Sequence, residues 1–141
     1  MAIPSYVQQN PWWKDPQLVN EDRIIAEWNR STFKWRPRLA EKIDWNVDVI
    51  YSLRGPRQVG KTTLTKLKIR DLLQSGTDSR RVFYWTCDLV NSRNELQSIL
   101  AEYIKWARGS VDDRLYIFLD EISAVKDWQK AIKYLYDSGS L

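Results

Sequence analysis

Residues 55–62 read Gly-Pro-Arg-Gln-Val-Gly-Lys-Thr, the spacing G-x-x-x-x-G-K-T, and each fixed position meets a need of phosphate chemistry. Gly55 and Gly60 permit positive φ and close backbone approach. The loop Gly55, Pro56, Arg57, Gln58, Val59, Gly60 can therefore turn successive amide N–H groups inward around an anion. Lys61 would place a point charge on β and γ phosphate oxygens, and the Thr62 hydroxyl offers Mg2+ one hard oxygen ligand. A second constellation lies downstream, where the apolar run 115–119, LYIFL, delivers Asp120 and Glu121. An Asp at that point can hold, through metal-bound water, the Mg2+ that Thr62 contacts. The adjacent Glu can polarise a water for in-line attack on a γ-phosphate.

Such groups work only if elements of the right kind position them. Residues 47–54, VDVIYSLR, form a β-branched and aromatic run that ends at the first glycine of the loop. Residues 63–74 carry Leu64, Leu67, Leu72 and Leu73 near a helical period. Strand, loop and helix would aim a helix N-terminus, with its partial positive charge, at the anion, which an ordinary Gly-rich turn would not. Residues 81–87, RVFYWTC, predict a buried second strand, and 115–119 a third, so that Asp120 and Glu121 stand at a strand's carboxyl end rather than in a mere acidic turn. Between these two strands, Leu96, Ile99, Leu100, Tyr103, Ile104 and Ala107 recur at the spacing of an amphipathic helix over 94–107, stopped by Gly109. A last helix is expected with Asp127 as N-cap and Trp128, Ala131, Ile132, Leu135 and Tyr136 on its apolar stripe. This alternation predicts an α/β fold with a mostly parallel sheet and a ligand at the carboxyl ends of the strands.

The first 46 residues differ in composition from the rest. Four of the five prolines and five of the eight tryptophans (Trp12, Trp13, Trp28, Trp35 and Trp45) lie there, with one helix expected over 21–29 that buries Ile24, Ile25 and Trp28. The division is therefore a Trp/Pro-rich leader, 1–46, packing on a domain, 47–141. Its tryptophans are expected to cover the first strand and its flanking helix, and base stacking or a partner surface is the other use of such rings. The chain of 141 residues is long enough for one core. Its 22 basic and 18 acidic residues are interspersed, for a net charge of +4, so nucleic acid binding is permitted without being indicated. One cysteine, Cys87, and no histidine exclude an internal disulfide and a Cys/His zinc site. No apolar run is long enough to span a bilayer, and the N-terminus lacks the order of a signal peptide, so a cytoplasmic location is expected.

The runs LRGPRQVGKTTL, VFYWTCD and LYIFLDEISAVKDWQKAIKYLYDSG together resemble the N-terminal part of AAA-superfamily ATPases, in a group of archaeal and bacterial ATP-binding proteins that join this domain to a nuclease-like or unassigned C-terminal domain. The resemblance implies a three-layer P-loop NTPase fold that uses ATP and Mg2+. By position, Lys61 would bind β and γ phosphate and Thr62 would ligate Mg2+, with Asp120 organising the metal and Glu121 activating water. Thr63 would by the same resemblance touch the α-phosphate. The stretch 125–128, VKDW, marks the subgroup, and Trp128 in it reads as a core anchor.

The resemblance also implies a strand order of 5-1-4-3-2, yet only 21 residues follow Asp120 and the last helix consumes them. A domain truncated before its fourth strand is the expectation, completed by a C-terminal part or a partner chain and a poor ATPase without it. Two other readings stay open, a non-catalytic nucleotide-binding or partner-binding fragment and a P-loop kinase. A GTPase is disfavoured, since neither N-K-x-D nor D-x-x-G occurs.

Overall fold

A computed structural model describes residues 5–31, 42–45, 51, 60–111 and 113–139. The expected strand 47–54, apart from Tyr51, and loop residues 55–59 lie outside the described residues. The regular elements are helix α1 (Arg23–Arg30), helix α2 (Lys61–Gln74), strand β1 (Val82–Thr86), helix α3 (Arg93–Arg108), strand β2 (Tyr116–Asp120) and helix α4 (Trp128–Asp137), with short 3-10 turns between. They fall into two compact units, Met1–Pro16 with Thr77–Leu141 in one and Gln17–Gly76 in the other. The chain is thus a mixed helix and strand structure with a small parallel sheet, as expected for an α/β fold. No helix among the described residues is long and apolar enough to cross a membrane.

In the unit holding the strands, β1 and β2 pair in parallel, with Val82 opposite Tyr116 and Thr86 opposite Asp120. Strand alternation puts Phe83 and Trp85 on one face and Val82, Tyr84 and Thr86 on the other. The Phe83 face is closed by aromatic rings from α3 and the leader. Phe83 stacks on Tyr103 at 4.4 Å between ring centroids, Trp13 lies parallel to Tyr103 at 5.7 Å, and Tyr6 meets Trp85 edge-on at 5.1 Å. All six positions of the periodic stripe on α3 are buried, and α4 packs against this helix through buried Ala131 and Leu135. Ser92 caps α3 by accepting the Glu95 N–H, the cap geometry that a serine three residues before a glutamate favours.

The outer edge of β1, away from β2, is sealed by side chains of residues 9–13. Parallel pairing directs the peptide groups of Phe83 and Trp85 toward β2 and leaves those of Val82, Tyr84 and Thr86 facing outward. The Asn10 side chain sits fully buried against them. Its Oδ1 accepts the Tyr84 N–H at 2.6 Å and its Nδ2 donates to the Tyr84 carbonyl at 2.9 Å, as a neighbouring strand would. The indole N–H groups of Trp12 and Trp13 both donate to the Val82 carbonyl, at 3.0 and 2.8 Å, using its two lone pairs. Gln9 Oε1 accepts the Thr86 N–H at 2.9 Å. Trp12 and Trp13 thus pack against strand 82–86, and the expected cover of strand 47–54 falls on residues outside the described ones.

In the second unit, Asp22 joins α1 to α2. Its Oδ1 caps α1 by accepting the Ile24 and Ile25 N–H groups, and its Oδ2 pairs with Lys66 Nζ at 2.8 Å. The Arg70 guanidinium lies 5.0 Å from the Trp28 ring centre, and Lys68 Nζ lies 4.7 Å from that of Trp45. Helix α2 buries Leu64, Leu67 and Leu72 on one side and Lys66 and Ile69 on another, which explains its blurred apolar period.

Three local expectations require correction. Ile25 is the fully buried residue of α1, while Ile24 and Trp28, whose ring faces the charged Arg70 guanidinium, are half-buried. Asp127 precedes α4, but its backbone is left-handed (φ 58°) and its side chain caps no N–H, because in that conformation the carboxylate does not swing over the first turn. In the same stretch Val125 is the buried residue, Trp128 is half-buried and Tyr136 is exposed, so the stripe of α4 is narrower than its apolar residues implied.

Asn10→Asp keeps the acceptor for the Tyr84 N–H but turns an oxygen toward the Tyr84 carbonyl, and Asn10→Ala removes both partners. Asn10→Ala, which orphans two buried backbone groups, is expected to destabilise the chain by about 2–4 kcal/mol, read as a lowered urea midpoint, and Asn10→Asp to lower that midpoint as well by facing the Tyr84 carbonyl with a second acceptor. A second expectation concerns alkali. Burial, then the hydrogen bond to and the charge of Glu102, raises the Tyr6 phenol from 10.0 to about 12. The unfolded chain loses that proton first, so the stabilisation is complete below pH 10 and disappears as pH rises toward 12. Urea midpoints should fall across that window, and Tyr6→Phe should flatten the fall.

Candidate functional site

Helix α2 begins at the lysine of the G-x-x-x-x-G-K-T motif. Gly60 occupies its N-cap with φ 85° and ψ 13°, a left-handed conformation that a Cβ would strain. This turn lets the Gly60 carbonyl accept the Leu64 N–H at 2.8 Å, the first bond of the helix. The Thr65 hydroxyl donates back to the Lys61 carbonyl at 3.0 Å. Lys61, Thr62 and Thr63 therefore form the first turn, half-buried, at the positive end of the helix dipole. Of the expected phosphate-binding positions, Gly55, Pro56, Arg57, Gln58 and Val59 lie outside the described residues.

Asp120 is the last residue of β2, and Glu121 follows it. The Asp120 carbonyl accepts the Cys87 N–H at 2.8 Å, which extends the parallel ladder to the rim of the sheet. Both carboxylate oxygens are held. Tyr84 Oη donates to Oδ2 at 2.8 Å, and the Glu121 peptide N–H donates to Oδ1 at 3.1 Å. Glu121 itself has φ 53° and ψ 38°, a left-handed conformation that costs a residue other than glycine about 1–2 kcal/mol. It turns the chain from β2 into the 3-10 turn Ile122–Ala124. Strain of this kind persists where the surroundings over-determine it, and such places concentrate at functional sites.

Cys87 adds no chemistry to this rim. Its thiol is buried and pushed up to about 12, first by desolvation and then by the Asp120 and Asp88 carboxylates, so it stays a neutral packing group.

Gly60, Lys61, Thr62 and Thr63 belong to the Gln17–Gly76 unit, and Asp120 and Glu121 to the unit of the strands. Sequence reasoning missed two residues that shape the second group. Tyr84 read as one more apolar strand position, although its two-residue offset from Thr86, the register partner of Asp120, puts it on the carboxylate's face. Asn10 carried a weaker signal, a polar amide directly before the Pro-Trp-Trp run.

The donor chemistry of these positions fits Mg2+. Thr62 offers a hydroxyl and Asp120 a carboxylate, both hard oxygen ligands. Among the described residues no group of three His, Cys, Asp or Glu side chains stands ready to hold a metal by itself.

Comparison with curated proteins and with solved structures produced no match. Residues 48–141, about two thirds of the chain, match the family model described as an AAA domain. Both the helix start at Lys61 and the strand that ends in Asp120 lie within the matched stretch. The chain belongs to the AAA domain family and contains an AAA-type P-loop domain.

Proposed function

We propose that this chain binds ATP with Mg2+ and catalyses its hydrolysis on a three-layer P-loop NTPase fold. The observation that carries the reading is the start of α2 at Lys61 behind a left-handed Gly60, within a stretch that matches the AAA domain. Loop amides from Gly55 to Gly60 take the phosphates, Lys61 neutralises β and γ oxygens, and Thr63 touches the α-phosphate. Thr62 and Asp120 would hold Mg2+, which when bound neutralises charge on the β and γ phosphates.

Glu121 is the general base in this reading. It draws a proton from water as the water oxygen bonds to the γ-phosphorus and the bond to the β–γ bridging oxygen breaks, releasing ADP and inorganic phosphate. The strained backbone at Glu121 supports this role, since a turn alone would be better served by glycine. Pairing of β1 with β2 at a side-chain-sealed edge also fits the 3-2 end of the strand order 5-1-4-3-2. Fast turnover in this reading also needs a positive group that offsets transition-state charge on the γ-phosphate.

Binding of fluorescent ATP and GTP, with and without Mg2+, tests the nucleotide assignment. ATP is expected to bind more tightly than GTP, and Lys61→Ala to weaken it at least tenfold; equal binding by the variant would remove the phosphate loop from the function. Glu121→Gln is expected to keep ATP affinity and lose about a hundredfold in phosphate release, the usual scale for removing a general base. Turnover in that variant equal to the parent's would assign the water to another group.

A further inference from the structure

Strand β1 contributes a residue that the function above does not absorb. Tyr84 is nearly fully buried at 6% exposure, on the face of the sheet that carries Asp120. The register places it beside Phe118, one side-chain step along β1 from Thr86, which faces Asp120. A diagonal pair of this kind separates Cβ atoms by about 7–8 Å, a span that a tyrosine covers and a shorter hydroxyl does not. Its Oη accordingly donates to Asp120 Oδ2 at 2.8 Å. Phenylalanine would fill the same buried volume, and a buried hydroxyl is costly unless bonded, so packing alone does not select tyrosine here.

The donor is itself held from the other side. Asn10 grips both the N–H and the carbonyl of Tyr84, at 2.6 and 2.9 Å, which fixes the peptide from which the phenol projects. The opposite carboxylate oxygen is fixed by the Glu121 N–H at 3.1 Å, from a peptide set by the left-handed turn. Two donors on two oxygens determine the plane of the Asp120 carboxylate as well as its position.

We propose that Tyr84 is a positioning residue for Asp120, orienting the carboxylate toward the Mg2+ of a bound nucleotide. The inference rests on the assignment of Asp120 to the metal given under Proposed function. Outer-shell hydrogen bonds of this type alter metal affinity by about 10–100-fold when removed, because the ligand must then be ordered by the metal itself.

The test is Tyr84→Phe in the full chain, with Asp120→Asn beside it. Fluorescent ATP affinity is measured in EDTA and then through a Mg2+ titration, together with the urea midpoint. The expected result for Tyr84→Phe is unchanged affinity in EDTA and a half-saturating Mg2+ concentration raised about tenfold. Asp120→Asn should abolish the Mg2+ response. If Tyr84→Phe titrates like the parent while Asp120→Asn does not, the positioning role is overturned and the functional reading survives. A Tyr84→Phe chain that loses its fold, or loses ATP affinity equally with and without Mg2+, would give the hydroxyl a structural role and overturn the proposal too. Should Asp120→Asn respond to Mg2+ as the parent does, or the parent show no Mg2+ response, the metal assignment and this inference fall together.

Discussion

A β-strand paired on one side only presents a row of peptide N–H and C=O groups on the other, and a buried row must find partners. Strand β1 finds them in side chains. The amides of Gln9 and Asn10 and the indoles of Trp12 and Trp13 bond the Thr86 N–H, both Tyr84 peptide groups and the Val82 carbonyl, and the Trp13 ring continues into the core between β1 and α3. Side chains can do this where a strand cannot extend because each ends in a donor or acceptor without offering a new ladder. The same short segment therefore closes the aromatic core and ends the sheet at this edge.

This constraint reaches the chemistry through a single residue. Tyr84 has its peptide bound to Asn10 and its hydroxyl bound to Asp120, so the polar rim of the sheet and its sealed edge share one rigid connection. Glu121 contributes from the other side, where a left-handed backbone turns its N–H onto the Asp120 carboxylate. Rigid strands supported by a second layer of hydrogen bonds hold functional groups better than loops do. The first turn of α2 is prepared differently, by the conformational freedom of Gly60 and by peptide dipoles that need no side-chain support.

Local patterns made much of this legible. The period of α3 identified all six of its stripe residues, and the apolar runs placed β1 and β2 within a residue of their observed ends. The spacing of Gly55, Gly60, Lys61 and Thr62, read with the strand-like run before it and the helical period after it, pointed to a phosphate-binding motif, and the match to an AAA domain is consistent with that. Helix α2 was harder, since burial on two sides mixes two apolar stripes, and α4 misled because exposed Tyr136 looks in sequence like a core residue.

What the sequence determined by itself was whatever depends on neighbours along the chain: element type, a helix directly after the G-x-x-x-x-G-K-T motif, and the two acidic residues after an apolar strand. Only the tertiary structure decided that the leader's amides and indoles bind β1, that Tyr84 reaches Asp120, and that Glu121 adopts a left-handed turn. The physical reason is separation. Asn10 and Tyr84 are 74 positions apart and Tyr84 and Asp120 are 36, so no local period or propensity links them. Such partners are chosen by which buried polar groups would otherwise go unbonded once the strands have paired.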